Sequence, residues 1–214
     1  MTFAQQSDFA NIDFSMADQS ARRHKGETLY NLPVLAHNLT YNLTTDVERF
    51  RAIYYWVTHN IKGDYSRMEE NIYYRNKFSN NNDALEDWHR LYKKTIFDNL
   101  IKNKKTVCTG YSYLVQQLSK QVDIEIQIIN GYTPLNKRST KKKDIPSHSW
   151  IAVKLNNKWY LCDPTWAAGY TDLDNYVFIY DYDNSYFLQN PIDFAKDHTP
   201  ITVKWTLLED SINQ

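Results

Sequence analysis

Apolar residues recur along this chain in two rhythms. The first is helical. Thr45 and Glu48 read as a capping box, and Val47, Phe50, Tyr54, Val57 and Ile61 then fall on one stripe. The spacing predicts a helix over 46–61, with Gly63 as its terminator. A short helix is expected over 33–40, with Pro33 in its first turn. Leu85, Trp88, Leu91, Tyr92 and Ile96 mark the inward face of a helix over 83–100. Tyr111, Leu114, Val115 and Leu118 recur at i, i+3, i+4 and i+7, which predicts a helix beginning at or just before Cys108. The stretch "NKFSNNND" (76–83) reads as the clearest loop. Beyond residue 120 the rhythm becomes period two. "IEIQIING" (124–131) reads as a strand, and "HSWIAVKLNNKWYLCDPTW" (148–166) as two strands joined by a tight Asn156-Asn157 turn. "NYVFIY" is a further candidate strand. Helices first and strands second predict an α+β fold with an antiparallel sheet.

A length of 214 residues suits one domain. Residues 1–26 are expected as an N-terminal arm, and 171–214 as a C-terminal extension packed on the core. Lys and Arg number 25, as do Asp and Glu, so the zero net charge points to neither nucleic acid nor an anionic membrane as partner. No apolar run is long enough to span a bilayer. With five glycines and no Gly-rich phosphate motif, no nucleotide cofactor is expected. The two cysteines form no C-x-x-C, and the six histidines form no H-E-x-x-H, so no metal is expected. "TFAQQ" near the start reads as the end of a cleaved signal peptide plus the mature terminus. That predicts a periplasmic or secreted protein; the alternative is a cytoplasmic one with an ordinary polar arm. The basic stretch within "NKRSTKKKD" (136–144) is either a solvated loop or a flap beside a site, since it precedes His148.

Candidate chemistry follows from the hairpin register. With a two-residue turn at Asn156-Asn157, Leu155 pairs with Lys158 and His148 lies opposite Thr165. Asp163 then shares the face of His148 as its diagonal neighbour, with Cα atoms roughly 7–8 Å apart. A carboxylate there can hold one ring nitrogen and leave the other free as a base. Cys162 falls on the opposite face with Tyr160, where it should be a packed, inert thiol. Cys108 stands at a helix start, where the positive end of the dipole and free N–H groups favour a thiolate and an oxyanion. Each residue also has a plainer reading: a packed cysteine, a satisfied core histidine, and an Asp-Pro-Thr turn.

"VCTGYSYLVQQL", "HSWIAVKLNNKWYLCDPTWAAG" and their order resemble the transglutaminase-like superfamily. "ERFRAIYYWVTHNI" and "SYFLQNPIDFAKDHTPITVKWTLL" resemble its kyphoscoliosis-peptidase branch and the bacterial relatives of that branch. The resemblance runs from about Arg51 to Leu208. It implies a papain-like transglutaminase core, with Cys108 as nucleophile, His148 as base and Asp163 as orienting acid. The sequence departs from the family pattern at Thr106, where the family often has Gly, at Gly63-Asp64, and in the Asn-rich insert before residue 84.

Two functions compete. One is a thiol acyl enzyme that takes a protein or peptide substrate and hydrolyses an amide through a thioester, or passes the acyl group to an amine. The other is a catalytically silent domain of the same shape used for protein contact. An arylamine N-acetyltransferase would need an acyl-CoA site, and a peptide N-glycanase would bring C-x-x-C zinc pairs; neither feature is evident in the sequence.

Overall fold

A computed structural model of the chain describes residues 4–134 and 146–208. Helix α3 (Asp46–Asn60) is the axis of the core. Its capping box forms as the sequence predicts: Thr45 Oγ1 accepts from the Glu48 N–H at 3.3 Å, and the Glu48 carboxylate accepts from the Thr45 N–H at 2.9 Å. Phe50, Tyr54, Trp56 and Val57 on this helix are fully buried. Helix α2 (Leu32–Thr40), capped by Asn31 and with Pro33 in its first turn, packs beside it. The expected N-terminal arm carries helix α1 (Ser15–Arg23), which also lies on α3, with Ala17 and Ala21 buried and Ser20 Oγ donating to the Leu39 carbonyl at 2.9 Å. Small residues at 17 and 21 let the two helices approach closely.

Gly63 does not terminate α3. The helix ends at Asn60 because buried, β-branched Ile61 turns extended. The chain then enters β1 (Lys62–Gly63), which pairs in parallel with β2 (Lys105–Thr106). Between these strands run α4 (Tyr65–Lys77) and α5 (Asn82–Asn103). Helix α4 gave no sequence signal, because Arg75 is its only buried residue. The expected loop over 76–83 therefore contracts to the few residues between the helices, with Asn81 Oδ1 capping α5 through the Ala84 N–H at 3.1 Å. In α5, Tyr92, Ile96 and Leu100 are buried, whereas Leu91 is 62% exposed and Leu85 and Trp88 are only half-buried. The apolar face drifts because the first half of α5 packs on α4 alone.

Helix α6 (Cys108–Lys120) buries Tyr111, Leu114, Val115 and Leu118, as its spacing predicts. It packs on a four-stranded antiparallel sheet of order β5-β4-β3-β8, formed by β3 (Ile126–Tyr132), β4 (His148–Leu155), β5 (Lys158–Cys162) and β8 (Thr199–Pro200). The β4–β5 turn is the two-residue Asn156-Asn157 connection, both residues at positive φ (49° and 61°), and Leu155 pairs with Lys158. Pairing stops at Ile151 with Cys162, because Pro164 opens helix α7 (Pro164–Ala168). Strands β6 (Gly169–Asp172) and β7 (Val177–Tyr180) form a separate hairpin. Phe187 and Leu188 beyond it are fully buried, and the Phe187 ring lies against Phe50 and Tyr54, so the C-terminal extension completes the core. Helix α8 (Pro191–Phe194) then leads into β8.

Candidate active site

Cys108 is the first residue of α6. Its N-cap is Val107, whose side chain makes no cap hydrogen bond, so the first-turn N–H groups remain at the positive end of the helix beside the thiol. The helix start is held from behind. A Cβ on Gly110 would lie 1.9 Å from Thr106 Oγ1, so this position needs glycine, and the Tyr111 hydroxyl donates to the Ile61 carbonyl at 2.7 Å. Thr106, the first departure from the family pattern, is thus buried against the back of the helix that carries Cys108. Cys108 is half-buried. Cys162 is fully buried on the opposite face of the sheet with Tyr160, as the register predicts; burial raises its thiol pKa, which suits an inert packed residue.

His148 opens β4, and its Nε2 lies 2.6 Å from Asp163 Oδ2. His148 does not lie opposite Thr165, because the ladder ends at Ile151 with Cys162 and Thr165 belongs to α7, but the side chains of His148 and Asp163 meet as expected. Asp163 ends the hairpin and caps α7: its Oδ1 accepts from the N–H groups of Thr165 (2.8 Å) and Trp166 (3.1 Å). Its backbone is pinned as well. Its N–H donates to the Tyr186 carbonyl at 3.1 Å, and its own carbonyl accepts from the Tyr54 hydroxyl at 3.0 Å. Nε2 is taken by the carboxylate, and Cys108 lies on the other side, close enough to His148 and to the backbone of Ser149 for both to favour its thiolate.

Burial works against charge on all three groups, and their mutual contacts outweigh it. Burial would raise the Cys108 pKa, but the hydrogen bond and charge of His148 and the Ser149 N–H bring it below the usual thiol value. Burial would lower that of His148, but Asp163 and Cys108 push it up to about 10. Asp163 is likewise held well below the usual carboxylate range: burial opposes ionisation, and His148 and His198 override it.

Of the three residues chosen from the sequence, His148 and Asp163 are in direct contact, and Cys108 at the start of α6 lies beside His148. Two further groups were not foreseen. Ser149 acts through its backbone, which no residue pattern signals. His198 Nε2 lies 3.0 Å from the same Asp163 Oδ2; it sits just before β8, and only the "DHTP" tail hints at it. Its approach depends on Gly131, where a Cβ would meet the Thr199 carbonyl at 2.2 Å and the Trp150 ring at 2.3 Å. His148, Asp163 and His198 each offer one donor atom within 4.8 Å of the others, a spacing that could accommodate a metal ion, but those atoms are hydrogen-bonded to one another. The other two departures from the family pattern lie in the excursion. Asp64 caps α4 and accepts from Asn99 at 2.6 Å, and the Asn-rich insert belongs to α4 and α5. The basic stretch 137–143 lies outside the described residues.

An α+β fold with a thiol at a helix start, against a strand imidazole held by a carboxylate, defines a papain-like, transglutaminase-like class of protein. The family model described as "Transglutaminase-like superfamily" matches residues 33–164, and the chain belongs to that superfamily. Among curated proteins, the chain is similar to kyphoscoliosis peptidase of Homo sapiens and of Mus musculus, each 27% identical over 94% of this chain and 27% of the relative. It is also similar to Hillarin of Drosophila melanogaster, 23% identical over 94% of this chain and 24% of that protein. The chain therefore spans about a quarter of the length of these relatives. A solved structure described as a crystal structure of a TGase is 12% identical, with a TM-score of 0.42, covering 83% of this chain and 38% of that one. Members of the superfamily are typically cysteine-dependent acyltransferases or peptidases.

Proposed function

We propose that this protein is a cysteine-dependent acyl-transfer enzyme that hydrolyses a peptide or amide bond through a thioester. The observation that carries the reading is the His148 imidazole held by the Asp163 carboxylate at 2.6 Å, with the Cys108 thiol at the start of α6 near enough to shift its pKa. Cys108 is the nucleophile. Its thiolate attacks the substrate carbonyl carbon, forming a C–S bond and a tetrahedral oxyanion that the N–H groups at the start of α6 stabilise. His148 gives its proton to the leaving amine as the C–N bond breaks. Water then attacks the thioester and passes a proton to His148. The C–S bond breaks, the carboxylic acid departs, and the thiolate returns. Asp163 orients the ring and keeps its charge matched.

The test is alkylation of Cys108 by iodoacetamide across pH, followed by peptide mapping, together with turnover of a peptide pool read by mass spectrometry. The expected result is a labelling limb below the usual thiol pKa of about 8.5, lost in H148A, and turnover abolished in C108A. An ordinary thiol indifferent to H148A would overturn the reading.

A further inference from the structure

We propose that His198 is a positioning residue of this site: a second, cationic imidazole that shares the Asp163 carboxylate with His148 and sets the charge balance around the Cys108 thiol. The inference rests on the Cys108–His148–Asp163 reading above and extends it to a fourth side chain.

The geometry is specific. Asp163 Oδ1 is occupied by two backbone N–H groups, and Oδ2 faces both imidazoles, His148 at 2.6 Å and His198 at 3.0 Å. The second nitrogen of His198, Nδ1, lies 2.5 Å from Asp197 Oδ1. Each ring nitrogen of His198 therefore faces a carboxylate oxygen. A carboxylate has no hydrogen to donate, so both nitrogens must carry one, and the ring is a cation between two anions. Its side chain is wholly shielded from solvent. The ring stacks on Phe194 at 3.9 Å and meets the edge-on Trp150 ring at 4.9 Å and the tilted Trp166 ring at 4.6 Å. The titratable groups facing it are Asp163, Asp197, His148 (ring centroids 5.7 Å apart) and Tyr186 (6.3 Å). An imidazole inserted only for packing would have no need of two carboxylate partners.

The consequence is electrostatic. A lone Asp163 beside Cys108 and His148 would make the site net negative once the thiolate formed, and would oppose thiolate formation. A fixed cation in contact with the same carboxylate offsets that charge locally, because its second anion, Asp197, sits on the opposite edge of the ring. Removing the cation should raise the pH at which the Cys108 thiolate appears.

The experiment compares iodoacetamide labelling of Cys108 across pH in the full chain for wild type, H148A, H198Q and H198F, with circular dichroism to check folding. The glutamine keeps a hydrogen-bond donor without charge, and the phenylalanine keeps the stack on Phe194 without a donor. Both are expected to move the acid limb of labelling to higher pH by roughly half a unit or more, about a threefold loss of rate below the limb. A folded variant of either kind with an unmoved limb would overturn the proposal, while wild-type dependence on His148 would leave the parent reading standing. Conversely, wild-type labelling indifferent to H148A would sink the parent reading first. If neither variant folds, the side-chain nitrogen spectrum of wild-type protein labelled with ¹⁵N-histidine decides the matter. Two protonated ring nitrogens on His198 at neutral pH support the proposal, and one bare nitrogen overturns it.

Discussion

Replacing Gly110 by alanine probes how the start of α6 is held. The new Cβ would sit 1.9 Å from Thr106 Oγ1 and 2.8 Å from Thr106 Cβ and Cγ2. Neither side can yield easily. Thr106 is buried, and its strand is fixed by the β1–β2 register and by the Asp64 N–H on its carbonyl at 2.8 Å. Overpacking of this kind costs about 1–3 kcal/mol. In a Thr106→Gly background all three clashing atoms are gone, and Ala in place of Gly inside a helix should stabilise by about 1 kcal/mol. The two effects differ in sign, so a double-mutant cycle should show a coupling of roughly 2–4 kcal/mol. Urea unfolding of wild type, G110A, T106G and the double variant measures it, with equal m-values as the check on two-state behaviour. The same four proteins should differ in iodoacetamide labelling, because a displaced helix start takes Cys108 away from His148. Equal destabilisation by G110A in both backgrounds would refute the argument that Thr106 dictates this glycine.

Other expectations concern the supports of the site. Arg51 is buried, donates to Asp18 from Nε at 2.6 Å, and reaches Tyr182 and Asn184; Arg51→Met should cost about 3–5 kcal/mol in a urea melt by stranding Asp18, and a loss below 1 kcal/mol would contradict this. Asn156→Val places a β-branched residue at φ 49° and should destabilise the hairpin joining His148 to Asp163 by about 1–2 kcal/mol, whereas Asn157→Gly should be neutral or stabilising by thermal melt. Stability should also depend on pH at both ends. His148 is raised to about 10, so its contribution is complete below its unfolded value near 6.5 and is lost as pH climbs through the folded value; Asp163 is depressed, so its contribution holds above about 3.9 and is lost as pH falls. Wild type and H148A should therefore converge in stability between pH 7 and 11; parallel curves would exclude this linkage.

What could be read in advance was whatever short-range chemistry dictates. The Asn156-Asn157 turn specified a register, and the register put Asp163 beside His148 and Cys162 on the other side. The stripe Tyr111, Leu114, Val115, Leu118 placed Cys108 at a helix start. What escaped were features that exist only through tertiary contact. Helix α4 hides because a helix with one buried residue leaves no apolar stripe. Leu91 reads as inward because the spacing does not reveal that only the second half of α5 reaches the core. His198 directly precedes a two-residue strand that pairs at Gly131, far away in sequence, so no local pattern ties it to Asp163. The resemblance to a known family supplied the roles; the spacing alone supplied only the meeting point.

The parallel clasp of Lys62–Gly63 with Lys105–Thr106 ties together both ends of the excursion through α4 and α5. Everything between 63 and 105 is thereby a cassette with a fixed plug. Its outer part, away from Leu100 and Phe97, can differ in length and composition with the clasp still holding the segment that leads to Cys108. Besides Phe97 on the Tyr113 ring and Leu100 in the core, the cassette is strapped beside the site by the Arg75 guanidinium on the Pro146 carbonyl at 2.6 Å, two residues ahead of His148. A swap that keeps the clasp and replaces that strap would separate the contribution of the His148 strand from that of the cassette.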